Sequence, residues 1–244
     1  MSAGTFSWGD PDAELFGSVG PGLALLFAGG AAIATAVGED AAATVEATRQ
    51  SWQVRWEGEE GGWDLSFVAL TPPLAVGVGV EGSKQGCRVT GTVRAGARRV
   101  TVDCLGQRGD GPDRADLEGR TLARTLSAWL APDRFVALSA ARPEDAEGHA
   151  DEEVEAWLVT PEEADPVRVD EARLSTTYDG DGRPLRAGLE LWLLPDSPYP
   201  RRIGGEARGR TSLDLGAGRL DAAFFAWTMD GHRGVGRYDV LRRA

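Results

Sequence analysis

The chain of 244 residues has a formal net charge of −12, with 42% hydrophobic and 26% charged residues. Those proportions are ordinary for a folded soluble domain and exclude a disordered or fibrous chain. Its basic residues are arginines apart from Lys84 and are scattered among acids, so an anionic nucleic-acid backbone or membrane surface is a poor partner.

The first long apolar run, LALLFAGGAAIATAV (Leu23 to Val37), has no charge but is shorter than the roughly 20 residues a spanning helix needs. Asp10, Asp12 and Glu14 precede it where a signal peptide would be basic. Its central Gly29-Gly30 is a hairpin signal, so the run predicts two antiparallel strands, no stable membrane insertion and a cytoplasmic protein. In SWQVRWE, Trp52, Val54 and Trp56 alternate with polar residues, and GWDLSFVAL repeats the pattern after the turn GEEGG. GVGVEG, Gly77 to Gly82, matches a phosphate-binding glycine pattern, but the strand-like SKQGCRVTGTV follows it where a helix is required. No nucleotide cofactor is expected.

Cys87 and Cys104 are too few for a disulfide framework, and with His149 and His232 as the sole imidazoles a zinc site is not expected. Buried free thiols on two paired strands are the expectation, with a cross-strand disulfide as the alternative. The polar stretch beginning QRGDGPDR then breaks the strand rhythm. It predicts a unit over 1–106, a connecting loop over 107–119 and a second unit over 120–244. An adhesion role for the RGD tripeptide needs secretion, and no leader is evident, so the tripeptide is read as coincidental.

From Thr121 onward about eight strand-like runs follow in sequence-adjacent order, the number at which a barrel closes around one small ligand. Among them LDAAFFAWTMDG is apolar on both faces, which predicts a strand packed inward on its own core and outward on the other unit. No GxSxG elbow accompanies the histidines, so a hydrolase triad is not expected. What remains is carboxylate among aromatics, since an acid in an apolar pocket holds its proton at neutral pH and can donate it.

Four stretches, QGCRVTGTVRAGARRVTVDCLGQR, ARTLSAWLAPDRFVALSAARP, RLSTTYDGDGRPLRAGLELWL and FFAWTMDGHRGVGRYDVL, resemble the tandem lipocalin-like family related to hydroxyneurosporene synthase and the lipocalin-like Diels–Alderases. The resemblance implies an all-β chain of two packed lipocalin-like antiparallel β-barrel units in tandem, with a lipophilic small molecule as partner. Gly106 and Arg108 match the family's G-x-R-x-H-x-W-G pattern, whereas Asp110 stands in the His position and the Trp is absent. The expected site has Asp103, Asp110 and Glu190 as candidate proton donors and Arg108 orienting a carboxylate. Trp52, Trp56, Trp129, Trp192, Phe225, Trp227 and Tyr238 are expected to line it. Three readings stay open: an enzyme without metal or cofactor that hydrates, isomerises or cyclises an apolar unsaturated molecule, a carrier of such a molecule, and barrels packed solid by their own side chains.

Overall fold

The computed structural model describes residues 4–78, 82–110, 117, 119–148, 151–216 and 218–243. The first half forms β1 (Thr5–Asp10), β2 (Leu15–Gly20), β3 (Leu23–Ala28), β4 (Ala31–Val37), β5 (Thr44–Ala47), β6 (Ser51–Glu57), β7 (Gly61–Ala69), β8 (Leu74–Ala75), β9 (Ser83–Ala95) and β10 (Arg98–Asp110). The second half forms β11 (Arg120–Ala131), β12 (Arg134–Pro143), β13 (Glu153–Val159), β14 (Val167–Arg168), β15 (Glu171–Tyr178), β16 (Pro184–Trp192), β17 (Arg201–Asp214), β18 (Gly218–Met229) and β19 (His232–Arg243).

These strands make two antiparallel sheets, ordered β4-β3-β2-β1-β10-β9-β7-β6-β5 and β14-β13-β12-β11-β19-β18-β17-β16-β15, with β8 attached to β9 alone. Each sheet runs up and down and curls until its first strand pairs with its last, β1 with β10 and β11 with β19. The opening in each half-barrel therefore falls in mid-sequence. In the second unit the chain itself spans the opening: the Val169 amide donates to the Ala156 carbonyl at 3.0 Å and the Asp170 amide to the Trp192 carbonyl at 2.9 Å.

Alternation along the strands fills each interior from within. Phe6, Trp8, Trp52, Trp56, Trp63 and Phe67 pack the first, and Leu126, Leu138, Leu189, Phe225, Trp227 and Tyr238 the second. A third cluster joins the sheets: Phe224 stacks on Phe16 at 5.5 Å and meets Phe27 and Trp129 edge-on at 5.8 and 6.4 Å. Phe225, one residue on, stacks on Trp227 inside the second unit at 5.0 Å. The doubly apolar β18 is thus the contact strand its composition predicts, and each such ring contributes about 1.5–3 kcal/mol by leaving water.

The apolar run from Leu23 is the β3–β4 hairpin, turning through Gly29 and Gly30 at φ 56° and 83°, the two left-handed positions of a type I′ turn. No helix among the described residues is long and apolar enough to cross a membrane. Both cysteines are free; Cys87 lies opposite Gly106 and Cys104 opposite Val89, so they are not cross-strand partners. Burial pushes the Cys87 thiol up to about 12.

One boundary differs from expectation. Gln107 to Asp110, read as the start of a loop, continue β10 and pair with Ser83 to Gly86, because the β9 partner strand extends just as far. Between β14 and β15 the strand is interrupted at Val169 and Asp170, whose amides make the bridging bonds above. In GVGVEG, residues 79–81 lie outside the described residues, as do His149 and the loop residues 111–116 and 118.

Candidate functional site

Strand β19 carries GVGRYD, and its alternation sends Tyr238 into the second interior while Val235, Arg237 and Asp239 face the first sheet. A Cβ on Gly234 or Gly236 would land on the backbone of Trp129 or Ser127, so these glycines let β19 lie close against β11. The Arg237 guanidinium crosses the seam, its Nη1 donating to Ser7 Oγ at 3.2 Å and also to Ser18 Oγ. Its Nε lies 2.7 Å from Asp239 Oδ2. The other carboxylate oxygen, Asp239 Oδ1, is buried and has no hydrogen-bond partner among the described residues.

Lys84 reaches toward the same layer from the first sheet, its Nζ donating to the Leu126 carbonyl at 3.3 Å. Burial pushes its ammonium down to about 8; Asp239 pulls it back up and Arg237 lowers it further. Gln107 Oε1 and Ser127 Oγ are likewise buried without a partner among the described residues. Two cations and one carboxylate therefore share a layer beside the aromatic seam, with Arg237 buried and Lys84 and Asp239 half-buried. Such an arrangement can hold an electron-rich oxygen, give up a proton from nitrogen and accept one at Oδ1.

The lysine has a thermodynamic signature. Between pH ~8 and ~10.5 the unfolded chain keeps the Lys84 proton and the folded chain releases it, so the unfolded state binds more protons and stability rises with pH. The slope reaches at most about 1.4 kcal/mol per pH unit. Urea unfolding of wild type and Lys84→Met across this range should show the slope in the first and its loss in the second.

The expected site residues are dispersed. Asp103 lies on the solvent face with its side chain 57% exposed, bidentate to Arg88 at 2.6 and 2.8 Å, and that pairing holds its carboxyl below the ordinary value. A surface ion-paired acid is not the protonated, apolar-pocket donor its sequence setting suggests. Glu190 and Trp192 share the outer face of β16, against Arg202 at 3.1 Å and Arg173 at 4.7 Å respectively. Arg108 lies over the Trp52 ring at 4.7 Å, toward the first interior. Trp56 lies deeper in that interior, Phe225, Trp227 and Tyr238 in the second, and Trp129 alone of the expected lining sits in the seam. The Asp110 side chain is outside the described residues.

A second polar group sits inside the second unit. Arg124 binds Glu152 through both carboxylate oxygens, Nε to Oε1 at 2.8 Å, and donates to Thr176 Oγ1 at 3.2 Å. Thr176 in turn meets the Tyr238 hydroxyl at 2.6 Å, which burial raises to about 12. Sequence reasoning passed over Lys84, Arg237, Ser7, Ser18, Arg124 and Glu152. The signals present were a lysine alone among arginines and an Arg and Asp placed two apart in a strand flanked by apolar neighbours. Among the described residues no three His, Cys, Asp or Glu side chains gather as metal ligands.

No protein-family model and no curated protein matches the chain by sequence. Solved structures match along its whole length. A Nitrosomonas europaea protein described as a putative AttH is 11% identical with a TM-score of 0.67, covering 98% of this chain and 90% of its own. Kievitone hydratase from Nectria haematococca is 10% identical with a TM-score of 0.60, covering 99% and 89%. CghA, also solved with Sch210972, is 12% identical with a TM-score of 0.63, covering 99% and 88%. The architecture of this chain is therefore the tandem lipocalin-like one expected from its sequence.

Proposed function

From that fold and the charged layer at its seam, we propose that the protein is an enzyme for a lipophilic, unsaturated small molecule of terpenoid, polyene or polyketide character. The reaction class is acid-assisted hydration, isomerisation or cyclisation. The observation that carries this is Asp239, whose buried Oδ1 has no hydrogen-bond partner among the described residues, paired with Arg237 and in the field of a lysine whose ammonium burial weakens. A kievitone hydratase with the same fold supports the reaction class.

An ammonium of this strength does not protonate an isolated alkene, whose cation is too costly. It can protonate a carbonyl-conjugated system, where electron density gathers on oxygen as the bond reacts. For hydration, the Asp239 carboxylate takes a proton from water, the hydroxyl adds to the distal carbon, and the Lys84 ammonium gives its proton to the enolate. Release of the proton from Asp239 to solvent water and uptake of one by Lys84 restore the starting state. The seam aromatics Phe16, Trp129 and Phe224 pack together beside the layer and lower the local dielectric on that side, which strengthens its charges.

The test is incubation with a panel of conjugated polyketide and terpenoid enones, read by mass and chirality of product. Turnover should fall as pH rises through about 8, and Lys84→Met and Asp239→Asn should each lower it at least ~100-fold. Binding of the panel with unaltered recovery in every case would instead make the protein a carrier.

A further inference from the structure

A cavity of about 650 Å³ opens at the far end of the seam, where the outer face of β17, β18 and β19 runs past the edge of the first sheet. Gly204, Glu206, Ala226, Thr228, Arg233 and Val235 form its floor, and Pro11, Glu14, Phe16 and Gly30 overhang it. Phe16 and Val235 belong to the apolar cluster that joins the sheets, so the inner wall is hydrophobic and continuous with the seam.

The charged residues at its rim are not equivalent. Glu206 is held by Arg186 at 3.0 Å. Arg208 and Arg233 have no ion-pair or side-chain hydrogen-bond partner among the described residues, in a chain where most arginines have one. Arg208 owes its position to a bulge. The β17–β18 register slips between Ala207 and Gly209, so that two successive residues of β17 leave the interior together. Gly209 then packs on the Phe27 ring, where a Cβ would come within 2.8 Å, and Arg208 is left at the cavity. Bulges that re-aim one side chain recur beside binding sites.

We infer that this cavity is a second binding site, separate from the acid–base layer, for a small amphipathic carboxylate whose apolar body lies on Phe16, Ala226 and Val235 and whose anion is taken by Arg208 and Arg233. Guanidinium pairs suit a planar carboxylate because their donors match its two oxygens. Glu14 sets the selectivity against dianions, since it brings negative charge to the same rim.

1-Naphthoate is a probe of this shape, and 1-methylnaphthalene is its neutral counterpart. Titration calorimetry on the full chain should give naphthoate binding that Arg208→Ala/Arg233→Ala weakens at least tenfold and Glu14→Gln strengthens, while methylnaphthalene affinity stays the same. Lys84→Met should leave naphthoate binding unchanged, which separates this site from the proposed chemistry. The inference is overturned if wild type does not bind naphthoate, if the arginine pair makes no difference, or if Lys84→Met abolishes the binding.

Discussion

Glu152→Ala should lower the stability of the fold by about 3–5 kcal/mol, read as a shift in the urea midpoint at pH 7. The reason is the guanidinium it leaves behind. Arg124 and Glu152 have side chains only 6% and 5% exposed, so deleting the carboxylate strands a cation inside the second unit with the neutral hydroxyls of Thr176 and Tyr238 as its neighbours. Removing both charges together, as Arg124→Met/Glu152→Leu, should recover most of the loss, because the desolvation of both ions is then avoided. A double variant as unstable as the single one would mean that Glu152 acts through its loop and not through the ion pair.

Gly236→Ala should be comparably damaging, at about 3 kcal/mol or more. The added Cβ would lie 2.7 Å from the Ser127 carbonyl carbon and 2.9 Å from the Ala128 Cα, besides overlapping the Ser127 oxygen. All three are backbone atoms of the neighbouring strand and cannot swing aside. Gly204→Ala is the matched control: it too lies in a strand, but a Cβ there meets nothing within 4 Å. Its midpoint should stay within about 0.5 kcal/mol of wild type.

Strand periodicity made the fold legible, because burial on one face leaves a period-two trace in the side chains. The Trp52-Val54-Trp56 stripe lies opposite Phe67, Leu65 and Trp63 as a hairpin, and the two-sided apolarity of β18 marked the sheet contact. Charged layers leave no such trace. Ser7, Ser18 and Lys84 lie up to 77 positions apart, and Arg237 bonds to Ser7 across 230 positions, so only the closed topology brings them together. Conversely, Asp103 and Glu190 look like buried acids in one dimension, since each follows an apolar residue in a strand. Their cross-strand arginines, Arg88 and Arg202, belong to other runs and mark that face as solvent.

The pairing of first strand with last also sets an order in time. Neither curled sheet can close until its final strand exists, since β1 waits for β10 and β11 for β19. Contacts so distant along the chain form slowly, because a long loop must be ordered before they contribute. On the ribosome the first unit can complete itself while the second is still being made. Arg237 and Asp239 lie on β19, the strand that completes the second unit, so the charged layer at the seam is assembled only when the preceding strands of both units have emerged. Until then the Phe16 and Phe27 face of the first unit stands uncovered, and that surface is where a nascent chain of this kind is most exposed to misassociation.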